Sequence, residues 1–141
     1  MPVIVVDTNI FVSALFSMQR SKQSLERTLF DLIADSPNPP TLIVSMPILT
    51  EYRDVFYRRK FAFGAAADEA LRIIDRLADH VTPAVEIQAL KDPDDTKFVA
   101  AALDGRADYL LTRNKRDYPD WAFIVSVKEF MELEYPEVLG R

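Results

Sequence analysis

Carboxylates and hydroxyls are the side chains through which this sequence could do chemistry. Its 141 residues include no cysteine and a single histidine, His80. Thiolate nucleophiles, cysteine zinc sites and disulfides are therefore excluded, and so are histidine pairs for acid-base catalysis and histidine clusters for zinc. The three glycines form neither of the Gly-rich phosphate-binding motifs, which argues against dinucleotide and P-loop chemistry. Acidic residues remain as the candidates for catalysis.

The first acidic candidate stands at the end of an aliphatic run. VIVV, residues 3–6, is typical of a strand buried on both faces of a parallel sheet, and Asp7, Thr8 and Asn9 follow it directly. All three residue types are good helix N-caps, so capping explains one of them. It does not explain a carboxylate at the end of a buried strand.

The elements that position Asp7 alternate between strands and helices. Further strands are predicted at 41–45, 108–112 and 123–126, and helices from about 9, at 24–35, from 47 to about 60, from 65 to 80, from about 92 to 105 and from 127. Ser126 and Glu129 have capping-box spacing, and His80 is expected late in a helix as a surface cap. This order predicts a single α/β domain over residues 1–141, with a central parallel sheet of about four to five strands flanked by helices on both faces (α/β/α).

Acidic residues from several of these elements are expected to meet at one edge of the sheet. Ligands of parallel sheets bind beyond the carboxyl ends of the strands, where Asp7, Asn114 and Asp117 are placed. Glu51 and Asp95 lie on the apolar faces of their helices. A carboxylate buried there must be neutralised by a proton, a cationic partner or a metal ion.

Helix capping by charge is the alternative explanation for Asp95. Together with Asp92 and Asp94, it falls in the first turn of its predicted helix, where acidic side chains stabilise the helix dipole. An incidental position is likewise open for Glu51 taken alone, but it does not account for both acids while Asp7 and Asn114 share the sheet edge. Convergence of several carboxylates without Cys or His indicates a hard cation with oxygen ligands, Mg²⁺ or Mn²⁺.

Such a metal site suits the hydrolysis of phosphodiester bonds, because the ions activate water and stabilise the leaving oxygen. The formal net charge of -5 is unusual for a protein that binds phosphates. Local basic clusters nevertheless exist, one formed by Arg58, Arg59 and Lys60 and one by Arg113, Lys115 and Arg116. We expect these clusters to contact a phosphate backbone.

Four stretches resemble, in order and spacing, the successive motifs of the PIN domain, a metal-dependent ribonuclease fold: VIVVDTNIFVSAL, ILTEYRDVF, DPDDTKFVAAAL and ADYLLTRNKRDY. The resemblance covers essentially the whole chain and is greatest to the small prokaryotic PIN toxins of toxin-antitoxin pairs. It implies an endoribonuclease that uses Mg²⁺ or Mn²⁺, an RNA substrate, a cognate antitoxin protein as partner and a homodimer.

The resemblance also implies roles for individual residues. It makes Asp7, Glu51 and Asp95 the acidic metal-binding core, while the fourth acidic position falls on Asn114, where many members have Asp. Asp117, three residues on, could supply that carboxylate. The expected catalytic residues are Asp7, Glu51, Asp95, Asn114 and Asp117, the expected metal ligands are Asp7, Glu51, Asp95 and Asp117, and the expected substrate-binding residues are Thr8, Asn9, Thr112, Arg113, Lys115 and Arg116.

Three other interpretations fit parts of the sequence. A receiver-type phosphoacceptor domain also begins with a strand that ends in Asp, but Ser45 stands at its acceptor position. A haloacid-dehalogenase-type phosphatase needs an Asp where Asn9 stands. A degenerate PIN domain that binds RNA or a partner without cleavage stays open because of Asn114. Since no apolar run approaches the roughly 18 residues of a membrane span and no signal peptide is recognised, we expect a cytoplasmic protein.

Overall fold

Five parallel strands form the centre of the computed structural model, which describes residues 1–84 and 93–140. They are β1 (Val3–Val6), β2 (Thr41–Val44), β3 (Asp79–His80), β4 (Tyr109–Leu111) and β5 (Ile124–Val125). Their lateral order is β3-β2-β1-β4-β5, and each neighbouring pair is parallel. The predicted α/β/α fold with a parallel central sheet is confirmed.

Within the part of the chain that the structure describes, six α-helices connect and cover these strands. They are α1 (Thr8–Gln19), α2 (Leu25–Asp35), α3 (Met46–Phe56), α4 (Ala65–Leu77), α5 (Thr96–Asp104) and α6 (Val127–Glu134). Short 3-10 helices lie at Arg59–Phe61, Pro93–Asp95, Lys115–Asp117 and Pro136–Leu139. Within the described residues no helix combines the length and the apolar composition needed to span a membrane.

Serine residues occupy the N-cap positions of α2, α3 and α6. The hydroxyls of Ser24, Ser45 and Ser126 accept hydrogen bonds from backbone N–H groups in the first turns of α2, α3 and α6. Ser126 and Glu129 form the predicted capping box, with distances of 3.1 Å and 2.9 Å between their reciprocal donors and acceptors. Ser45 is only 1% exposed. The residue at the receiver-type acceptor position is therefore a buried helix cap.

Two predicted helix ends were wrong. Helix α3 ends at Phe56, before the predicted end near Lys60, and a 3-10 turn follows at Arg59–Phe61. Helix α4 ends at Leu77, and His80, expected inside the helix, lies in β3. The reason is strand pairing, since His80 aligns with Val44 of β2 and takes extended backbone. Its ring Nε2 still lies 2.9 Å from a backbone oxygen of α4, that of Asp75.

The start of α5 is described only in part. The predicted start near Asp92 lies outside the described residues. From Pro93 to Asp95 the backbone is a 3-10 turn, and the α-helix begins at Thr96. Asp95 therefore stands at the N-cap position of α5.

The strand order reverses next to β1. The chain passes from β1 to β2 and β3 on one side, and then returns to β4 and β5 on the other. Parallel sheets bind ligands in the crevice that such a reversal opens at the carboxyl ends of the strands. Asp7 directly follows β1 and Thr112 directly follows β4, and the N–H of Asp7 donates to the carbonyl of Leu111 over 2.9 Å.

An aromatic cluster fixes α3 to this part of the sheet. Phe11 meets Tyr52 edge-to-face with ring centroids 5.2 Å apart, and Tyr52 stacks on Phe56 at 5.8 Å. Tyr52 is fully buried, and its hydroxyl donates to the carbonyl of Val6, the last residue of β1. Burying side chains of this size contributes about 1.5–3 kcal/mol each. Because Glu51 directly precedes Tyr52, this packing brings Glu51 to the crevice.

Candidate active site

A cleft of about 310 Å³ opens at the carboxyl ends of β1 and β4. It brings together all five expected catalytic residues and four of the six expected substrate-binding residues. The lining residues are Asp7, Thr8, Asn9, Glu51, Val55, Arg58, Asp94, Asp95, Thr112, Arg113, Asn114 and Asp117. Residues far apart in the sequence thus form one strongly acidic cavity.

Two hydroxyl groups hold the Asp7 carboxylate. Its Oδ2 accepts hydrogen bonds from Thr112 Oγ1 at 2.9 Å and from the Tyr118 hydroxyl at 3.1 Å. Thr112 is 1% exposed and Tyr118 is 6% exposed, so both donors are buried. The orientation of Asp7 is therefore set by the end of β4 and by the turn that follows it.

The environment of Asp7 disfavours its charged form. Burial raises its pKa above the ordinary value of 3.8, and the nearby charge of Glu51 raises it further. The hydrogen bonds from Thr112 and Tyr118 lower the pKa but do not reverse the shift. A carboxylate in this position is stabilised by any cation that enters the cleft.

Glu51 has a different set of partners. Its Oε1 lies 2.6 Å from Lys97 Nζ, and its Oε2 accepts a hydrogen bond from the Thr8 hydroxyl. The Lys97 ammonium also donates to the backbone oxygen of Asp94 over 2.7 Å. Of the three ways to neutralise a carboxylate on an apolar helix face, the structure shows a cationic partner for Glu51.

The three carboxylates of the expected metal core affect the pKa of Tyr118. Burial is the main cause that raises the pKa of Tyr118 far above its ordinary value, and the charges of Asp7, Asp95 and Glu51 add to it. A phenol with a raised pKa stays protonated and can only donate its hydrogen to a carboxylate. The charges of all three acidic side chains therefore act on one buried hydroxyl.

These carboxylates are not gathered around a single point. Across residues 1–84 and 93–140, no group of three acidic or histidine side chains is close enough to hold one metal ion. The Asp7 carboxylate accepts hydrogen bonds from hydroxyl groups, and the Glu51 carboxylate contacts a hydroxyl and an ammonium group.

Comparison with known protein families gives a match to the sequence of this chain. A sequence model described as the PIN domain matches residues 3–116, which is most of the chain. The chain belongs to the PIN domain family. Neither a search of curated proteins nor a search of solved structures gave a match. PIN domains are in general nucleases that act on nucleic acids and use divalent metal ions.

Asn114, where the resemblance places a fourth acid, has polar partners on both its side chain and its backbone. Its Nδ2 donates to Asp117 Oδ2 over 2.6 Å, and its backbone N–H donates to Thr112 Oγ1 over 3.1 Å. Asp117 lies one residue beyond the part of the chain that the family match covers. The amide of Asn114 and the carboxylate of Asp117 thus form a pair at the edge of the cleft.

Basic residues also line the cleft. Arg58 follows α3 and lines the cleft, and so does Arg113, which also donates to the Ser13 hydroxyl. Lys115 and Arg116 are exposed and are not among the described residues that line the cleft. The Lys115 ammonium lies 3.2 Å from Glu129 Oε1, so this lysine faces α6.

Sequence reasoning missed Lys97 and Tyr118. Lys97 stands two residues after Asp95 in the PIN motif DPDDTKF, and that proximity was the available signal. No comparable signal marked Tyr118, because an isolated tyrosine before a proline is common in loops. Its role depends on the turn at Lys115–Asp117, which returns the chain towards Asp7.

Proposed function

We propose that this PIN domain is an endoribonuclease that hydrolyses RNA phosphodiester bonds with Mg²⁺ or Mn²⁺, and that the cleft is its active site. The observation that carries the proposal is the Asp7 carboxylate at the reversal of strand order. Its pKa is raised by burial and by Glu51, so its charged form needs a cation. A divalent ion meets that need.

The ligand chemistry of the cleft fits such an ion. Asp7, Glu51, Asp95 and Asp117 would hold it through carboxylate oxygens, and Asn114 could add an amide oxygen. Oxygen donors are the ligands that Mg²⁺ and Mn²⁺ prefer. When bound, the metal would supply an activated water and neutralise charge on the reacting phosphate.

The protein's own residues would orient ligands and substrate. Thr112 and Tyr118 fix one oxygen of Asp7, and Thr8 fixes one oxygen of Glu51. Arg58 and Arg113 line the cleft and would contact phosphates of the substrate. Positioning of this kind reduces the cost of bringing the reacting groups together.

Cleavage of a labelled RNA tests this proposal. A single-stranded RNA with a fluorophore at one end is incubated with the purified protein in Mn²⁺, in Mg²⁺ or in excess EDTA, beside a DNA of the same sequence. We expect internal cleavage of the RNA in either metal and none in EDTA. Intact RNA in all conditions would contradict the proposal, and cleavage of DNA alone would correct its substrate.

A binding domain without catalysis is the second candidate. Asn114 at an acidic position of the family and the Lys97–Glu51 ion pair both favour it, because each reduces the negative charge available to a metal. Such a protein would shift the labelled RNA in a gel, or would bind a partner protein, and would leave the RNA intact in Mn²⁺.

The cellular role follows from the resemblance to small PIN toxins. We propose that the protein is the toxin of a toxin-antitoxin pair, is neutralised by a cognate antitoxin and forms a homodimer in the cytoplasm. Exposed apolar side chains such as Met46, Leu77 and Leu133 are compatible with a second copy. A small neighbouring reading frame that encodes a DNA-binding protein supports the pair, and light scattering tests the dimer.

A further inference from the structure

We propose that Lys97 is an internal cation that competes with a divalent metal ion for the Glu51 carboxylate and is displaced when the metal binds. The inference rests on the proposed function, because it concerns how the same site takes up its metal. The acidic residues of the cleft favour metal binding, whereas Lys97 would oppose it.

The contacts of Lys97 fix its ammonium group in place. Nζ lies 2.6 Å from Glu51 Oε1 and 2.7 Å from the backbone oxygen of Asp94. A carboxylate and a backbone carbonyl therefore both hold the ammonium group. The side chains of Lys97 and Glu51 are 22% and 24% exposed. Water and salt therefore screen this ion pair less than a pair on the open surface.

Both oxygens of Glu51 have partners in this arrangement. Lys97 holds Oε1, and the Thr8 hydroxyl donates to Oε2. A metal ion that binds Glu51 must remove one of these partners or share an oxygen with it. Sharing with Lys97 would place two positive charges a few ångströms apart, which is strongly unfavourable in a partly buried site.

Asp7 provides the contrast within the same cleft. The side chains that donate to it, Thr112 and Tyr118, are neutral hydroxyls, and its pKa is raised by burial. A metal ion that entered the cleft would therefore neutralise the charge of the Asp7 carboxylate, but it would break the contact between Lys97 and Glu51. Lys97 thus stabilises the metal-free protein and weakens its affinity for the metal.

Calorimetric titration with Mn²⁺ tests this competition. The proteins are the parent, Lys97→Met, Lys97→Arg and Lys22→Met, which removes an exposed lysine between α1 and α2. We expect Lys97→Met to bind Mn²⁺ at least about tenfold more tightly than the parent and to melt at a lower temperature without metal. Lys97→Arg and Lys22→Met should stay within about threefold of the parent.

A second measurement follows Lys97 itself in the unmodified protein. NMR spectra of the lysine ammonium groups, recorded during a titration with Mg²⁺, should show the Lys97 signal moving towards that of an exposed lysine. This result does not depend on the stability of any variant.

The outcomes separate this inference from the proposed function. Equal or weaker Mn²⁺ binding by folded Lys97→Met would overturn the competition and leave the metal site in place. An unchanged Lys97 signal at saturating Mg²⁺ would do the same. If the parent binds neither metal, the proposed metal site and the role of Lys97 are both wrong.

Discussion

The hydroxyl of Tyr118 lies 3.1 Å from Asp7 Oδ2, the same oxygen that Thr112 contacts at 2.9 Å. Tyr118 directly follows the 3-10 turn at Lys115–Asp117, while Thr112 directly follows β4. The residue after β4 and the residue after the next 3-10 turn therefore fix one carboxylate at the crevice. The high pKa of Tyr118, caused first by its burial and then by the charge of Asp7, keeps it a donor at neutral pH.

Replacing Tyr118 by Phe should destabilise the protein. The variant loses a buried hydrogen bond to a carboxylate, a loss of about 1.5–3 kcal/mol in the free energy of unfolding. Tyr57→Phe is the matched control, because Tyr57 also donates to a carboxylate, that of Asp68, but is exposed. Urea unfolding at pH 7 in EDTA should show a change within about 0.5 kcal/mol for the control. Equal losses in the two variants would contradict the role given to Tyr118.

Stability without metal should depend on pH through Asp7. Because burial, aided by the charge of Glu51, raises the pKa of Asp7 above 3.8, the folded protein binds this proton more tightly than the unfolded chain. The stabilisation by that proton is complete below about pH 4 and is lost as pH rises through the raised pKa.

Comparison with Asp7→Asn isolates this effect from those of other groups. The free energy of unfolding of the variant minus that of the parent should increase from pH 4 towards neutral pH, since the amide cannot ionise. Urea unfolding of both proteins in EDTA, at intervals from pH 4 to 8, measures the difference. A difference that is constant with pH would show that Asp7 has the same pKa in the folded and unfolded states.

Asn114 should make one of two metal positions weak. Its amide pairs with Asp117 at 2.6 Å and brings no negative charge. We expect one tight and one weak divalent site, with the weak site filled only when a substrate phosphate adds its own oxygens. Asn114→Asp should strengthen that site and raise cleavage at low Mg²⁺, and Asp117→Ala should weaken it.

Calorimetry with and without a non-cleavable RNA tests the two positions. Titration of Mg²⁺ into the parent and the two variants gives the number of sites and their affinities. Two equally tight sites in the RNA-free parent would contradict the prediction. Variants whose cleavage depends on Mg²⁺ concentration in the same way as the parent's would contradict it as well.

Local sequence patterns were sufficient to predict most of the fold. The continuous apolar runs of β1 and β2 and the capping box at Ser126 depend on residues close together in the chain, and the structure has them as predicted. The end of α4 could not be found in this way. It is decided by pairing of β3 with β2, about 35 residues away, which extends the backbone at His80.

The acidic cleft was predictable because parallel strands share a carboxyl edge, which places Asp7 and Asn114 together. The hydrogen-bond partners of Glu51 and Asp7 could not be predicted from the sequence. Lys97 meets Glu51 across 46 residues of sequence, and Tyr118 meets Asp7 across 111. Contacts of this kind depend on how α5 and the turn after β4 pack in three dimensions, and no local pattern encodes that packing.

The rate of RNA cleavage by Asp7→Asn at saturating Mn²⁺ tests the central claim most directly. Asp104→Asn is the control, since Asp104 is exposed at the end of α5 and is not among the cleft-lining residues of the described chain. With both variants folded by circular dichroism, we predict that Asp7→Asn loses more than about a hundredfold in rate, whereas Asp104→Asn equals the parent. Cleavage by Asp7→Asn at the parent's rate would contradict the assignment of this cleft as a metal-dependent nuclease site.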